Sequence, residues 1–169
     1  TVIEVNEANA EATKKFSEMF LDKFAVPWLT LNVALLEAHN KGEKVVPKRI
    51  LSLALTFLHG AIQGEGIFER TLKPQTQYII QNIVFPFISF NAADAEMWEN
   101  DPQEYLREAF EVDSSEDLFS PKAAAASVII DLIKVRKQHT FPIYLQIITS
   151  ELNKMLQQAP KDRNYALKD

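Results

Sequence analysis

The side chains of this sequence best suited to chemistry are carboxylates. Asp94, Glu96, Glu99, Asp101, Glu104 and Glu108 crowd into one short stretch, and MWENDPQEYLREAF (97–110) interleaves them with Trp98, Pro102 and Tyr105. Two such carboxylates could divide the work of acid and base, but only inside a concave, partly desolvated pocket that drives their pKa values apart. The sequence supplies no companion residues for such a pocket. With no cysteine there is no thiol nucleophile and no zinc-thiolate site. His39, His59 and His139 lie far apart, so they read as surface or helix-end residues rather than metal ligands. GAIQGEG (60–66) is rich in glycine but lacks the preceding strand and the Lys-Ser/Thr ending of a phosphate loop. No enzyme, cofactor or metal site is expected; the carboxylates read as a surface for a partner.

Charge distribution says which partner. Residues 91–119 hold ten Asp or Glu against Arg107 alone, a net of −9, whereas the rest of the chain nets +4. An anionic segment repels nucleic acid and steers basic protein surfaces. No run of roughly 20 uninterrupted apolar residues is present, so no membrane span is expected. Residues 1–20 show no basic stretch followed by an apolar one, and the absence of cysteine fits a reducing compartment, cytosol or nucleus.

The elements that must carry this segment are helices. Four glycines in 169 residues, with 47% apolar content and no sustained period-two alternation, predict an all-α chain. Leu51, Leu55, Leu58 and Ile62 recur at helical spacing within 47–63, with Ile50, Ala54, Phe57 and Ala61 as a parallel stripe, and Pro47 suits the first turn. Residues 73–89 continue with Ile79, Ile80, Ile83, Val84, Phe87 and Ile88, and Pro86 is expected to kink them. Ser120-Pro121 opens a helix in which Val128, Leu132 and Val135 face inward, and Phe141, Leu145, Ile148, Leu152 and Met155 give the next helix one buried face. On the N-terminal side Phe16, Phe20, Phe24 and Trp28 read as core, on one long helix kinked at Pro27 or on two shorter ones, ended by Gly42. Two adjacent pairs of about 40 residues predict an α-solenoid of HEAT-type antiparallel helix pairs. The boundaries are 1–43 for a helix of a preceding repeat, 44–89 for one pair, 90–119 for an acidic insertion, 120–158 for a second pair, and 159–169 for the start of another repeat.

The insertion is too long for a tight helix connection, and its sequence carries order signals. Asn91 can cap a turn through Asp94, and Asp101, Pro102 and Glu104 form an N-cap, N1 and N3 set. Trp98, Tyr105, Leu106 and Phe110 are expected to pin the segment to the stack while the carboxylates face outward.

IVFPFISFNAADAEMWENDPQEYLREAFE (83–111), together with DLFSPKAAA (117–125), resembles a stretch of the importin-β family of nuclear transport receptors, most closely the branch of importin seven and importin eight. FLDKFAVPWLTLNVALLEAHNKGEKVVPKRIL (20–51) is similar to the helices preceding that stretch, and PKDRNYALKD (160–169) to the next repeat's first helix. The resemblance implies a central piece of a HEAT superhelix that shuttles between cytoplasm and nucleus. It implies an import receptor binding cargo protein, the GTP form of the small GTPase Ran and the FG-repeat proteins of the pore, with no direct contact to nucleic acid. Ran-facing roles then fall on Asp94, Glu96, Glu99, Asp101, Glu104 and Glu108. An export receptor of the same family, or a HEAT scaffold subunit of a multiprotein complex, is the alternative.

Overall fold

A computed structural model describes residues 2–110 and 120–158, with side chains for 9–92, 94–107 and 120–158. Every regular element among the described residues is helical. The chain opens with one helical run: α1 (Val2–Phe20), a π-helical turn (Leu21–Ala25) and α2 (Val26–Asn40). Gly42 ends it at φ 73°, with its N–H on His39 O and the Glu43 N–H reaching back to Ala38 O. A side chain at Gly42 would be strained in this left-handed conformation. Pro47 then stands just outside α3 (Lys48–Gln63) as its N-cap, one position earlier than expected.

Gly64 separates α3 from a second run, 65–88. It comprises α4 (Glu65–Ile67), a π turn (Phe68–Leu72), a 3-10 turn (Lys73–Gln75), α5 (Thr76–Tyr78), a π turn (Ile79–Val84) and α6 (Phe85–Ile88). Helix α3 and this second run meet at a bend of 99°, so the pair forms an elbow rather than a tight hairpin. Gly66 sits where a Cβ would stand 3.1 Å from Leu21 Cδ1, so its missing side chain lets α4 approach the first run. The insertion contributes α7 (Ala92–Asn100) and α8 (Pro102–Phe110); α9 (Pro121–Val135) and α10 (Lys137–Gln157) follow.

Each π turn ends two residues before a proline. The N–H groups of Val26, Lys73 and Phe85 reach back five residues to Leu21, Phe68 and Ile80, and Pro27, Pro74 and Pro86 come next. A proline ring collides with the carbonyl four residues earlier; the wider turn moves that carbonyl aside. The disturbance expected at Pro27 and Pro86 is thus absorbed by π turns within continuous helical runs. At Pro86 the freed Asn82 carbonyl, with its neighbour on Ile83, accepts from Asn40 Nδ2 at 3.0 and 3.1 Å.

The helices stack in two layers. Asp131 on α9 accepts from His59 and Gln63 near the end of α3, both at 2.8 Å, and Arg136 donates to Ile62 O and Gln63 O. The C-terminal ends of α3 and α9 therefore lie together, and the two helices run parallel. In the other layer Asp22 meets Arg70 and Asn40 meets Asn82, so the first run lies parallel to 65–88. Helix α10 extends this layer, with His139 on Lys73 O and Tyr144 edge-on to Phe85. Between the layers sit Leu29, Leu36, Leu51, Leu55, Leu58, Phe68, Ile80, Val128, Leu132 and Ile147. This is the repeat stacking of a helical solenoid.

Two apolar stripes expected inside lie outside. Phe16 is 62% and Trp28 58% exposed, with Phe20 and Phe24 similarly open; Phe16, Phe20 and Phe24 stack on one another along the helix. Phe141, Leu145 and Leu152 on α10 are exposed as well, as is Val135 on α9. Helical spacing marks an apolar face but not whether a neighbour covers it. The inner faces are instead Ala25, Leu29 and Leu36 on the first run and Thr140 and Ile147 on α10. Among the described residues Asn9–Asn40 is long and apolar enough to cross a bilayer by length and composition alone. Here its inner face is packed in the helical stack.

Candidate acidic docking hairpin

The insertion is ordered by local chemistry. Asn91 Oδ1 accepts the Asp94 N–H at 3.2 Å, and Asp94 Oδ2 accepts the Asn91 N–H at 2.9 Å, a reciprocal cap on α7. Asp101 is the whole connection to α8: its N–H closes α7 on Met97 O, and its Oδ1 accepts the Glu104 N–H at 3.0 Å. Pro102 occupies the first turn, where its missing N–H costs nothing. A single capping residue thus turns the chain, and α7 and α8 pack chiefly on each other.

Tyr105 is the hub that positions the hairpin. Its ring meets Trp98 edge-on at 5.4 Å and Phe90, at the root of the insertion, at 5.8 Å. Lys122, in the first turn of α9, lies 5.9 Å from the same ring and 3.4 Å from Asp94 Oδ2. Lys122 and Phe90 were not singled out in the sequence; a lysine in a helix's first turn, where the dipole disfavours cations, was the available signal.

The six candidate carboxylates are therefore not equivalent. The Asp94 side chain is 18% exposed and already holds Asn91 and Lys122. Asp101 is exposed but serves as a cap, and Glu104 pairs with Arg107 within α8. Glu96 and Glu99 point to solvent. The side chains of Glu108 and Phe110 lie outside those described. Among the expected anchors, Tyr105 is half-buried, Trp98 is 47% exposed, and Leu106, at 46%, faces solvent more than it pins the segment.

The remaining polar residues serve the scaffold. His59 binds Asp131, His139 binds Lys73 O and meets Phe68 edge-on, and His39 stacks on Phe87. Glu37 lies below the usual carboxylate range because Lys41 and then Tyr78 hydrogen-bond to it, and the Tyr78 hydroxyl is raised by the same carboxylate. No group of three or more potential metal ligands occurs among the described residues. The arrangement offers a displayed acidic edge with an aromatic base, a geometry for binding rather than turnover.

Comparison with known proteins decides the family. The Cse1 family model matches residues 4–169, nearly the entire chain. The chain belongs to the Cse1 family of importin-β-type nuclear transport receptors. It is 30% identical to an importin beta-like SAD2 homolog of Arabidopsis thaliana over 92% of its length, spanning 15% of that protein. It is 32% identical to human importin-8 over 73% of its length, covering 12% of that receptor. With a probable importin-7 homolog of Dictyostelium discoideum, identity is 28% over 89% of this chain and 14% of the relative. No solved structure matches. Members of the Cse1 family are transport receptors rather than enzymes, and the all-helical two-layer stack is the solenoid that such receptors share.

Proposed function

We propose that this chain is a segment of a nuclear import receptor, and that its acidic hairpin α7–α8 faces the GTP form of Ran. The observation that carries the reading is the hairpin itself: an ordered, capped, strongly anionic unit between consecutive solenoid repeats, in a chain related to importin-8. Glu96 and Glu99 make the primary contact, being exposed on α7. Asp101 and Asp94 hold the hairpin in shape, with Glu104 and Glu108 on the neighbouring helix. Cargo protein and the FG-repeat proteins of the pore bind elsewhere on the superhelix, and the receptor shuttles between cytoplasm and nucleus. Because the chain spans only 12–15% of these relatives, the test belongs to the full-length receptor. It should bind GTP-loaded Ran and not GDP-loaded Ran, and release cargo when the GTP form is added. Cargo retained in the presence of GTP-loaded Ran would contradict import and favour an export receptor of the same family. Indifference to the nucleotide would favour a HEAT scaffold.

A further inference from the structure

We propose that Lys122 is a latch closing the neck of the acidic insertion, holding α7–α8 to the solenoid through Asp94 and Tyr105, and that a partner's Lys or Arg opens it by taking Asp94. The first half stands on the structure alone; the second rests on the hairpin's reading as a site for a basic partner.

Lys122 and Asp94 stand at opposite ends of the insertion. Asp94 is in the first turn of α7, where the chain enters, and Lys122 is in the first turn of α9, where it returns. Their ion pair, with Nζ 3.5 and 3.4 Å from the two carboxylate oxygens, joins residues 28 positions apart. Tyr105 puts the α8 side of the hairpin under the same ammonium, within the distance at which a cation is attracted to an aromatic face. One side chain thus touches both helices of the insertion and belongs to the solenoid.

The charges also show which partner is the displaceable one. An aspartate in the first turn of α7 is favoured by that helix's dipole and by the Asn91 N–H that it accepts. A lysine in the first turn of α9 is disfavoured by its own helix and is stabilised by Asp94 facing it. The pair is about two-fifths exposed on the lysine side, open enough for a second cation to enter. Glu96 and Glu99 lie within two turns of Asp94 and would bring a basic surface to it. Removing the lysine's charge relieves α9 of an unfavourable interaction, so the variant should fold while the neck opens.

Backbone amide hydrogen exchange in the full-length receptor tests the latch without any partner. Lys122→Gln should speed exchange across residues 92–107 about three- to fivefold, whereas Lys122→Arg should keep it within about twofold of the wild type, and residues 125–135 should be unchanged in both. Equal exchange across 92–107 in wild type and Lys122→Gln would overturn the latch. When GTP-loaded Ran is added, residues 122–124 of the wild type should exchange faster, and Lys122→Gln should show no further change. Slower or unaltered exchange there in a bound complex would overturn the competition for Asp94. A receptor that fails to bind Ran at all would defeat the proposed function, and the partner-free comparison would still decide the latch.

Discussion

Single side chains in this molecule act mostly by satisfying backbone groups that proline or a helix end has left open. Asn40 is the clearest case, because its amide serves two carbonyls that the π turn before Pro86 presents. Asn40→Ala should therefore lower stability by about 1 kcal/mol in denaturant unfolding, more than an ordinary surface substitution. Gly42→Ala should cost about 1 kcal/mol by forcing a side chain into the left-handed region. Glu37 offers a titration test: it is held low first by Lys41 and then by Tyr78, so Tyr78→Phe should raise its midpoint toward the ordinary glutamate range, followed by carboxyl NMR. A depressed carboxyl contributes stability above its unfolded pKa and loses it as pH falls through the folded one. This small contribution should disappear on acidification below the carboxylate range, not on alkalinisation. At this scale the sequence was legible wherever the chemistry is local. Asn91 with Asp94, Asp101 with Glu104 and Ser120 with Ala123 are all separated by three residues, and each forms the cap that its type and spacing announce. Lys122 with Asp94 and His59 with Asp131 were not legible, because only the stacking of the repeats brings them together.

Among elements, the hairpin's order depends on Tyr105 more than on the apolar residues beside it. Its ring closes on Phe90 and Trp98, and aromatic pairs of this kind contribute roughly 0.5–1.5 kcal/mol each beyond burial. Tyr105→Ala should loosen α7 and α8 and increase solvent quenching of Trp98 fluorescence, best read in a Trp28→Phe background. Leu106→Ala, at a solvent-facing position, should leave both unchanged. The helices themselves were readable from period alone: Leu51, Leu55, Leu58 and Ile62 are buried as their spacing requires. The failures share one cause. The stripe Phe16, Phe20, Phe24 and Trp28 has the same spacing as the buried one, but period cannot say which of a helix's two apolar faces meets a neighbour. Helix α10 was misread in the same way, with Ile147 inside and Leu145 outside. The π turns have no periodic signature beyond the proline that follows each of them.

For the whole molecule, the solenoid carries the acidic hairpin at the connection between α6 and α9, and exposed carboxylates there are useful only collectively. A single exposed ion pair is worth about 0–1 kcal/mol and is screened over about 10 Å at 0.1 M salt. The proposed recognition of a basic GTPase surface through α7 therefore needs several pairs and should weaken as salt rises. The fold dictates which carboxylates can be changed without collapsing the site: Asp101 caps α8 and Asp94 caps α7, so reversing either would damage the hairpin as well as the contact. Glu96 and Glu99 are exposed and can be reversed cleanly. The most direct measurement is the affinity of the full-length receptor for GTP-loaded Ran with both Glu96 and Glu99 changed to Lys, at low salt and again near physiological ionic strength. A Ran contact through α7 predicts about a tenfold or greater loss at low salt that narrows as salt is raised; equal affinity for the variant and the wild type at low salt would contradict that contact.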